Sequence, residues 1–147
     1  MDVGILSYGL YVPRRRLQRS SIYKTNRWYA PGLGGLAKGE KAISNWDEDS
    51  VTMAVEAGRY CMDGIDRGLV ESISLASTTL PFADRSNAGI AKEALNLSDN
   101  VMTADRTGSL RAGTSSLMHA LQNGAMALCL AADRRKSKVA STEEMNY

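Results

Sequence analysis

Residues 103–117 combine a candidate nucleophile with a local backbone arrangement that could activate it. The segment predicts the end of a strand, a tight turn at Gly108 and a helix that begins near Ser109. A thiol or hydroxyl at the start of a helix lies at the positive end of the helix dipole, where backbone N–H groups can also hold an oxyanion. Ser109 is the hydroxyl at this position, but its side chain also suits a helix N-cap. We interpret Ser109 as the N-cap and keep the nucleophile as the alternative.

Small side chains crowd the first turns of this predicted helix, namely Ala112, Gly113, Ser115 and Ser116. A glycine inside a helix costs roughly 1 kcal/mol relative to alanine. The pattern therefore predicts that another backbone segment or a ligand lies close against the helix. His119, the one histidine of the chain, falls off the apolar stripe of the same helix, which favours a rim or interface position over a catalytic one.

Other patterns that could bind a nucleotide or a metal are weaker. The spacing Gly32-x-Gly34-x-x-Ala37 resembles a dinucleotide fingerprint, but no predicted strand leads straight into it and no helix clearly follows. Gly39-Glu40-Lys41 lacks the Ser or Thr of a phosphate-binding loop. The two cysteines, Cys61 and Cys129, belong to no metal-spaced cluster and are interpreted as core residues. We therefore expect no metal site.

The acidic cluster in residues 45–50 marks the start of a helix, where carboxylates stabilise the helix dipole. Apolar residues at steps of three and four then predict a helix to about Asp63, and Gly64 ends it. Strands are predicted at residues 3–13, 70–77, 101–104 and 125–132, and further helices at 87–95 and 110–123. Residues 133–147 are expected to form a polar surface connection. This alternation indicates a layered α/β fold with a mainly parallel sheet.

The composition is that of a globular protein: 147 residues, of which 44% are hydrophobic and 23% charged. The 18 basic and 16 acidic residues give a net charge of +2, whereas nucleic-acid binders more often show a concentrated excess. The first residues lack the basic and long apolar regions of a signal peptide, and no stretch approaches the ~20 apolar residues of a membrane span. We expect a cytoplasmic protein that binds neither nucleic acid nor membrane.

Three segments together resemble the thiolase superfamily, especially hydroxymethylglutaryl-CoA synthase and its ketoacyl-synthase-III-like relatives. They are the opening Val3-Gly4-Ile5 that leads to Tyr11-Val12-Pro13, the Gly-Leu-Gly segment before the acidic helix start, and Ala112-Gly113-Thr114-x-x-Leu117. The resemblance implies a thiolase-like layered fold and a coenzyme A thioester as substrate, with no tightly bound cofactor.

The same resemblance implies that two catalytic side chains of the family are replaced in this chain. The family's cysteine nucleophile falls on Leu110, and its acid-base glutamate, the second residue of a Thr-Glu pair after a strand, falls on Thr79. A threonine cannot exchange protons near neutral pH as a tuned carboxyl group can. We therefore expect no catalytic residue in this chain, and we expect the chain alone to be inactive.

The resemblance also implies how much of the family's architecture is present. Residues 1–147 correspond to an N-terminal half-domain that lacks its last strand and the whole C-terminal half. The first hypothesis is the N-terminal portion of a hydroxymethylglutaryl-CoA-synthase-like acyltransferase, and the alternative is a non-catalytic thiolase-fold subunit for dimerisation or partner binding. A homodimer, or a partner chain that supplies the C-terminal half, follows from both. In relatives the strand before the elbow pairs across a two-fold axis, so residues 101–105 are the expected seam.

A coenzyme A contact is expected through the first loop of the chain. Trp28 could stack on an adenine, and Arg14 or Lys41 could meet phosphates. The alternative is that Trp28 packs beneath the glycine-rich segment and contacts no ligand.

Overall fold

Strands and helices alternate along residues 3–147, the part of the chain that the computed structural model describes. The strands are β1 (Arg15–Gln18), β2 (Glu40–Ile43), β3 (Ser72–Ala76), β4 (Met102–Arg106) and β5 (Ala127–Ala131). The helices are α1 (Arg19–Asn26), α2 (Ser50–Cys61), α3 (Asn87–Ala94), α4 (Ala112–Asn123) and α5 (Thr142–Asn146), with short 3₁₀ helices at Pro31–Leu36 and Arg67–Leu69. The predicted α/β class is confirmed.

The chain divides into two compact units. The first, here the sheet unit, comprises the described residues up to Tyr11 together with Glu48–Asp133. The second, here the basic unit, comprises Val12–Asp47 and Arg134–Tyr147. The basic unit carries twelve basic and four acidic side chains, whereas the sheet unit carries six basic and eleven acidic ones. The near-neutral total therefore conceals two units of opposite net charge.

A three-stranded parallel sheet in the order β4-β3-β5 is the centre of the sheet unit. Side chains alternate between the two faces of a strand. On one face Ile73 and Leu75 are buried with Leu128 and Leu130 among the aliphatic residues of α2 and α3. On the other face Ser74 contacts α4 through a hydrogen bond to Ser116. The sheet thus has an aliphatic face and a second face of mixed, mostly small side chains, here the polar face because Ser72, Ser74 and Arg106 lie on it.

The two helices on the aliphatic face begin at well-defined caps. Asp49 accepts a hydrogen bond from the Thr52 amide at 2.8 Å, and the Thr52 hydroxyl accepts one from the Asp49 amide, which completes a capping box. At α3 the N-cap is Ser86, whose hydroxyl accepts from the Gly89 amide at 2.9 Å. The Asp105 carboxylate on β4 also accepts from the amides of Asn87 and Ala88, at 2.8 and 2.7 Å. The predicted role of the acidic cluster as a helix start is confirmed at Asp49.

The opening strand predicted at residues 3–13 is absent, because the described residues there pair with no other strand. Residues 7–9 of this segment lie against α2 instead. The Ser7 hydroxyl donates to the Cys61 carbonyl oxygen at 2.8 Å, and a Cβ at Gly9 would lie 2.3 Å from the Ala57 carbonyl oxygen. Only glycine allows the segment to approach the helix backbone this closely.

The basic unit contains an antiparallel pair, β1 and β2, and a small core of Ile22, Leu33 and Met145. Met145 lies on α5 and is 0% exposed. The prediction of a surface connection for residues 133–147 is therefore wrong in its last part. The Met145 side chain packs with apolar residues that lie more than 100 positions earlier, so local polarity did not indicate its burial.

No helix among residues 3–147 is long and apolar enough to cross a bilayer.

Candidate functional site

The elbow between β4 and α4 has the predicted turn. β4 ends at Arg106, and Gly108 has a φ of +94°, a conformation that glycine adopts without a steric penalty. The helix begins at Ala112, two residues later than predicted. The prediction of a strand, a glycine turn and a helix is therefore correct in type and order, with a shifted helix start.

The assignment of Ser109 as the helix N-cap is wrong. The N-cap is Arg111, and its side chain makes no capping hydrogen bond. Residues 108–111 form a bend and a turn before the helix, in which the Ser109 hydroxyl accepts from the Arg111 amide at 3.3 Å. This turn separates Ser109 from the first helical residue, so its hydroxyl stabilises the turn instead of the helix end.

A cleft of about 200 Å³ lies at the carboxyl ends of β3 and β5, beside the elbow. Its lining consists of Ala76, Ser77, Thr78, Ser109, Leu110, Ala112, Gly113, Ala131, Ala132 and Asp133. A Cβ on Gly113 would lie 3.4 Å from that of Ala131, so the small-residue helix packs closely on the sheet here, as expected. We call this space the elbow cleft.

The Asp133 carboxylate organises one wall of the elbow cleft. Its Oδ1 atom accepts from the Thr78 amide at 2.7 Å and from the hydroxyls of Thr78 and Ser77, both at 3.0 Å. The Thr79 hydroxyl also donates to Oδ1, at 3.3 Å. Four donors therefore converge on one carboxylate oxygen and join the loop after β3 to the end of β5.

These hydrogen bonds set the charge of Asp133. Partial burial alone would raise the pKa of its carboxyl group, because it disfavours the charged form. The hydrogen bonds from Thr78, Ser77 and Thr79 favour the carboxylate and outweigh that effect, so the pKa lies below its ordinary value. Asp133 is thus an anion at neutral pH, with one of its oxygens already occupied by the protein.

The two positions where the resemblance places catalytic residues lie near this network. Leu110 lines the cleft and is 68% exposed. Thr79 donates to Asp133, and its carbonyl oxygen accepts from the Ser50 hydroxyl at 2.9 Å. The fold therefore brings the elbow and the loop after β3 to the same edge of the sheet. A leucine side chain can offer this cleft an apolar contact, but it supplies no nucleophilic atom.

The predicted coenzyme A residues all belong to the basic unit. Trp28 is 83% exposed and its ring lies against that of Tyr29, with centroids 5.7 Å apart. The ring near the glycine-rich segment is Tyr23, which a Cβ on Gly34 would meet at 3.3 Å. The alternative that Trp28 packs beneath that segment is therefore wrong. Arg14 is also exposed and accessible to an anion.

Lys41 is the exception among these residues. Its ammonium group donates to the main-chain carbonyl oxygens of Glu144 and Tyr147. Burial lowers the pKa of Lys41, an effect that the Glu144 carboxylate opposes and the Arg19 guanidinium reinforces. Lys41 thus holds the end of α5, and a phosphate would have to displace these contacts.

The cysteines and the histidine lie outside the elbow cleft. Cys61 and Cys129 are free thiols and half-buried, less enclosed than the core positions expected for them. The Cys129 thiol contacts the Ser116 carbonyl oxygen at 3.8 Å. His119 is exposed, at the rim as predicted, and one ring nitrogen lies 3.0 Å from the Asn123 amide nitrogen. Among residues 3–147, no cluster of His, Cys, Asp and Glu could hold a metal ion.

Asp133 is the residue of the cleft that the sequence analysis did not identify. It lies two residues after the end of β5, and Ser77 and Thr78 are the first two residues after β3. The carboxyl ends of neighbouring parallel strands meet at the same edge of a sheet, where ligands commonly bind in open α/β folds. The sequence therefore indicates that these polar residues share one edge of the sheet, but not which of their groups form hydrogen bonds.

Known hydroxymethylglutaryl-CoA synthases resemble the chain over most or all of its length. The enzyme of Methanosarcina barkeri is 32% identical over 153 aligned positions, which cover 100% of this chain and 44% of that protein. The enzyme of Thermococcus onnurineus is 33% identical over 122 positions, covering 82% of this chain and 33% of that protein. The chain thus spans less than half the length of these curated relatives. No protein-family model matches it.

Solved structures show the same fold. MvaS in complex with 3-hydroxy-3-methylglutaryl coenzyme A superposes with a TM-score of 0.80 at 22% identity, over 99% of this chain and 38% of that one. A variant of OleA from Xanthomonas campestris gives a TM-score of 0.75 at 18% identity, over 83% of this chain and 38% of that one. Both are thiolase-superfamily proteins, which confirms the predicted layered fold.

Proposed function

Because the chain is a hydroxymethylglutaryl-CoA-synthase-like member of the thiolase superfamily, we propose that it forms the N-terminal portion of a protein acting on acyl-CoA thioesters. The match to less than half of each relative supports a second portion, on the same or another chain. In this proposal residues 1–147 are a half-domain without its last strand. The elbow cleft is then the end of the acyl site that this portion contributes.

One observation carries the mechanistic part of the proposal: Leu110, on which the resemblance places the family's cysteine, lines the elbow cleft. A leucine cannot form a thioester, and Thr79, at the glutamate position, cannot serve as a tuned acid or base near neutral pH. The cleft therefore holds an acyl group by contact and does not capture it covalently. Any bond-forming chemistry belongs to groups supplied by the other portion.

Peptide mass spectrometry after incubation with acetyl-CoA tests this mechanism. No specific acyl adduct is expected on the chain. Stoichiometric acylation at Ser109, Cys61 or Cys129 would contradict the proposal, because each would then act as a nucleophile despite its position.

A cysteine introduced at the elbow tests whether Leu110 occupies a nucleophile position. In Leu110→Cys the thiol lies just before the start of α4, where backbone N–H groups favour the thiolate. Alkylation by iodoacetamide at neutral pH should be several-fold faster than in Leu69→Cys, which places a thiol at a comparably exposed leucine outside the cleft. Equal rates would remove the special character of position 110.

We further propose that coenzyme A contacts the basic unit through Trp28 and Arg14, with Lys41 contributing least. Exposed aromatic and guanidinium groups suit an adenine and a phosphate. Calorimetric titration of coenzyme A should show weaker binding for Trp28→Ala than for wild type. Trp46→Ala is the matched control, because Trp46 is also 83% exposed. Equal affinities of the Trp28 variant and wild type would exclude Trp28.

The alternative function, a non-catalytic subunit for dimerisation or partner binding, rests on β4. This strand pairs with β3 on one side, and Met102 on it is 74% exposed. An open strand edge can pair with another chain. Sedimentation velocity should show concentration-dependent association that Met102→Lys reduces and Lys138→Glu leaves unchanged. A monomer at every concentration would argue against a homodimer seam at β4.

The proposal also includes a cytoplasmic location. It is supported by the two thiols, which are free and form no disulfide with each other. Fractionation of cells that express the protein, followed by immunodetection, would test it.

A further inference from the structure

A second, smaller cavity lies between the polar face of the sheet and α4. Its volume is about 100 Å³, and it shares no lining residue with the elbow cleft. The polar residues that line it are Ser72 and Ser74 on β3, Thr103 and Arg106 on β4, and Ser116, His119 and Asn123 on α4. One water molecule needs roughly 10–15 Å³ of such space, so the cavity has room for a small polyatomic ligand.

Arg106 is the unusual member of this lining. Its Nε atom is buried, yet it makes no hydrogen bond with any of residues 3–147. A guanidinium group keeps its charge at all ordinary pH values and carries donors only. A buried donor without an acceptor is unfavourable, and more so when the group is charged. Arg106, a half-buried residue, thus leaves one buried N–H donor of its cationic group without an acceptor.

The remaining lining supplies no anion to meet that need. No Asp or Glu lines the cavity. The nearest carboxylate along the strand, Asp105, points to the other face of the sheet, where its oxygens accept from Asn87 and Ala88. Ser74 and Ser116 share one hydrogen bond, and because each hydroxyl carries one proton, one of the two remains able to donate. The Asn123 amide provides further N–H donors.

We propose that this cavity is a binding site for a small oxyanion of the phosphate or sulfate class, with Arg106 as its cationic anchor. The guanidinium would bind the oxyanion through charge-assisted hydrogen bonds, which are shorter and about twice as strong as neutral ones. The hydroxyls of Ser74 and Ser116 and the Asn123 amide would complete the set of donors. The site shares no lining residue with the elbow cleft and uses none of the residues proposed to contact coenzyme A.

Titration calorimetry of inorganic phosphate against the full chain tests the site. Wild type should bind phosphate saturably with a 1:1 stoichiometry, and Arg106→Gln should weaken binding at least tenfold. Arg111→Gln is the matched control, because it removes the same charge from an exposed arginine on the nearby elbow. An equal loss in both variants would mean diffuse electrostatic attraction, and absence of saturable binding to wild type would mean that water alone occupies the cavity. Either result overturns the proposal.

Arg106→Lys and hydrogen exchange keep the test decisive if Arg106→Gln does not fold. The lysine variant retains the charge but not the planar set of donors, so an intermediate affinity is expected. In wild type, phosphate should slow amide exchange in residues 102–106 and 116–123 relative to chloride at equal ionic strength. Equal protection by chloride, or protection spread over the whole chain, would contradict a site at Arg106.

Discussion

The two units of this chain are stabilised by different interactions. The sheet unit has a large aliphatic core around β3, in which Leu75, Ala88 and Ala91 are 0% exposed, and it carries excess negative charge. The basic unit has a small core of three buried apolar residues and carries a net charge of +8. The net charge of +2 for the whole chain therefore describes neither unit.

In the basic unit, cationic side chains join distant segments by hydrogen bonds to main-chain carbonyl oxygens. Arg19 donates from Nε to the Met145 carbonyl oxygen at 2.7 Å and from Nη1 to the Glu40 carbonyl oxygen at 2.6 Å. Lys41 donates to two further carbonyl oxygens near the end of α5. The carbonyl groups at the end of a helix carry partial negative charge, so cations stabilise them. The basic unit should therefore respond to charge and ionic strength, whereas the sheet unit should respond mainly to lost volume.

The largest expected effect is on the sheet unit. Leu75→Ala removes a fully buried side chain on β3, the middle strand of the sheet, and should lower the free energy of unfolding by about 2–5 kcal/mol. Leu69→Ala, at a leucine that is 56% exposed, should change it by less than about 1 kcal/mol. Urea denaturation followed by circular dichroism measures both. Similar losses would mean that the aliphatic face of the sheet does not control stability.

A smaller and more local effect is expected in the basic unit. Met145→Ala empties part of its small core and should cost about 2 kcal/mol, with faster amide exchange in residues 17–43. Exchange in β3 and β5 should stay unchanged, because the two units have separate cores. Met102→Ala, at an exposed methionine, serves as the control. Faster exchange throughout the chain would show that the units unfold together.

The Asp133 network should make part of the stability of the sheet unit dependent on pH. Its folded pKa is below the ordinary value of 3.8, so the stabilisation is complete above that value and is lost as pH falls through the folded pKa. Asp133→Asn should cost about 1 kcal/mol at neutral pH, a figure that allows for solvent exposure. The difference from wild type should shrink below about pH 4, as measured by urea denaturation at several pH values. A difference that is constant down to pH 2 would contradict the role of the charge.

The smallest expected effect is that of salt on the basic unit. Its net charge of +8 should produce self-repulsion that added salt screens. Raising sodium chloride from about 0.05 to 0.5 M should slow amide exchange in residues 15–43 by a few-fold and leave β3 unchanged. Sucrose at equal osmolality is the control for a general solvent effect. Equal slowing in both units would remove the electrostatic distinction between them.

Much of the candidate site could be predicted from sequence, because its main features are local. The turn at Gly108 and the helix that follows it depend on backbone preferences over a few residues, and the capping box at Asp49 depends on two residues three positions apart. The prediction that Ser109 is the helix N-cap was wrong, because two additional turn residues precede the helix, which begins at Ala112. Element ends are sensitive to such small differences.

By itself the sequence determined the alternation of strands and helices, the parallel sheet and the elbow, because apolar periodicity and glycine conformations act over short distances. Tertiary structure decided what depends on residues far apart in the chain: the burial of Met145 with Ile22, the contact of residues 7–9 with α2, and the four donors around Asp133. Tertiary structure also brought the basic residues of Val12–Asp47 and Arg134–Tyr147 into one unit. Such contacts form only when the chain folds back on itself, and no local pattern of residue types encodes which distant partner will meet them.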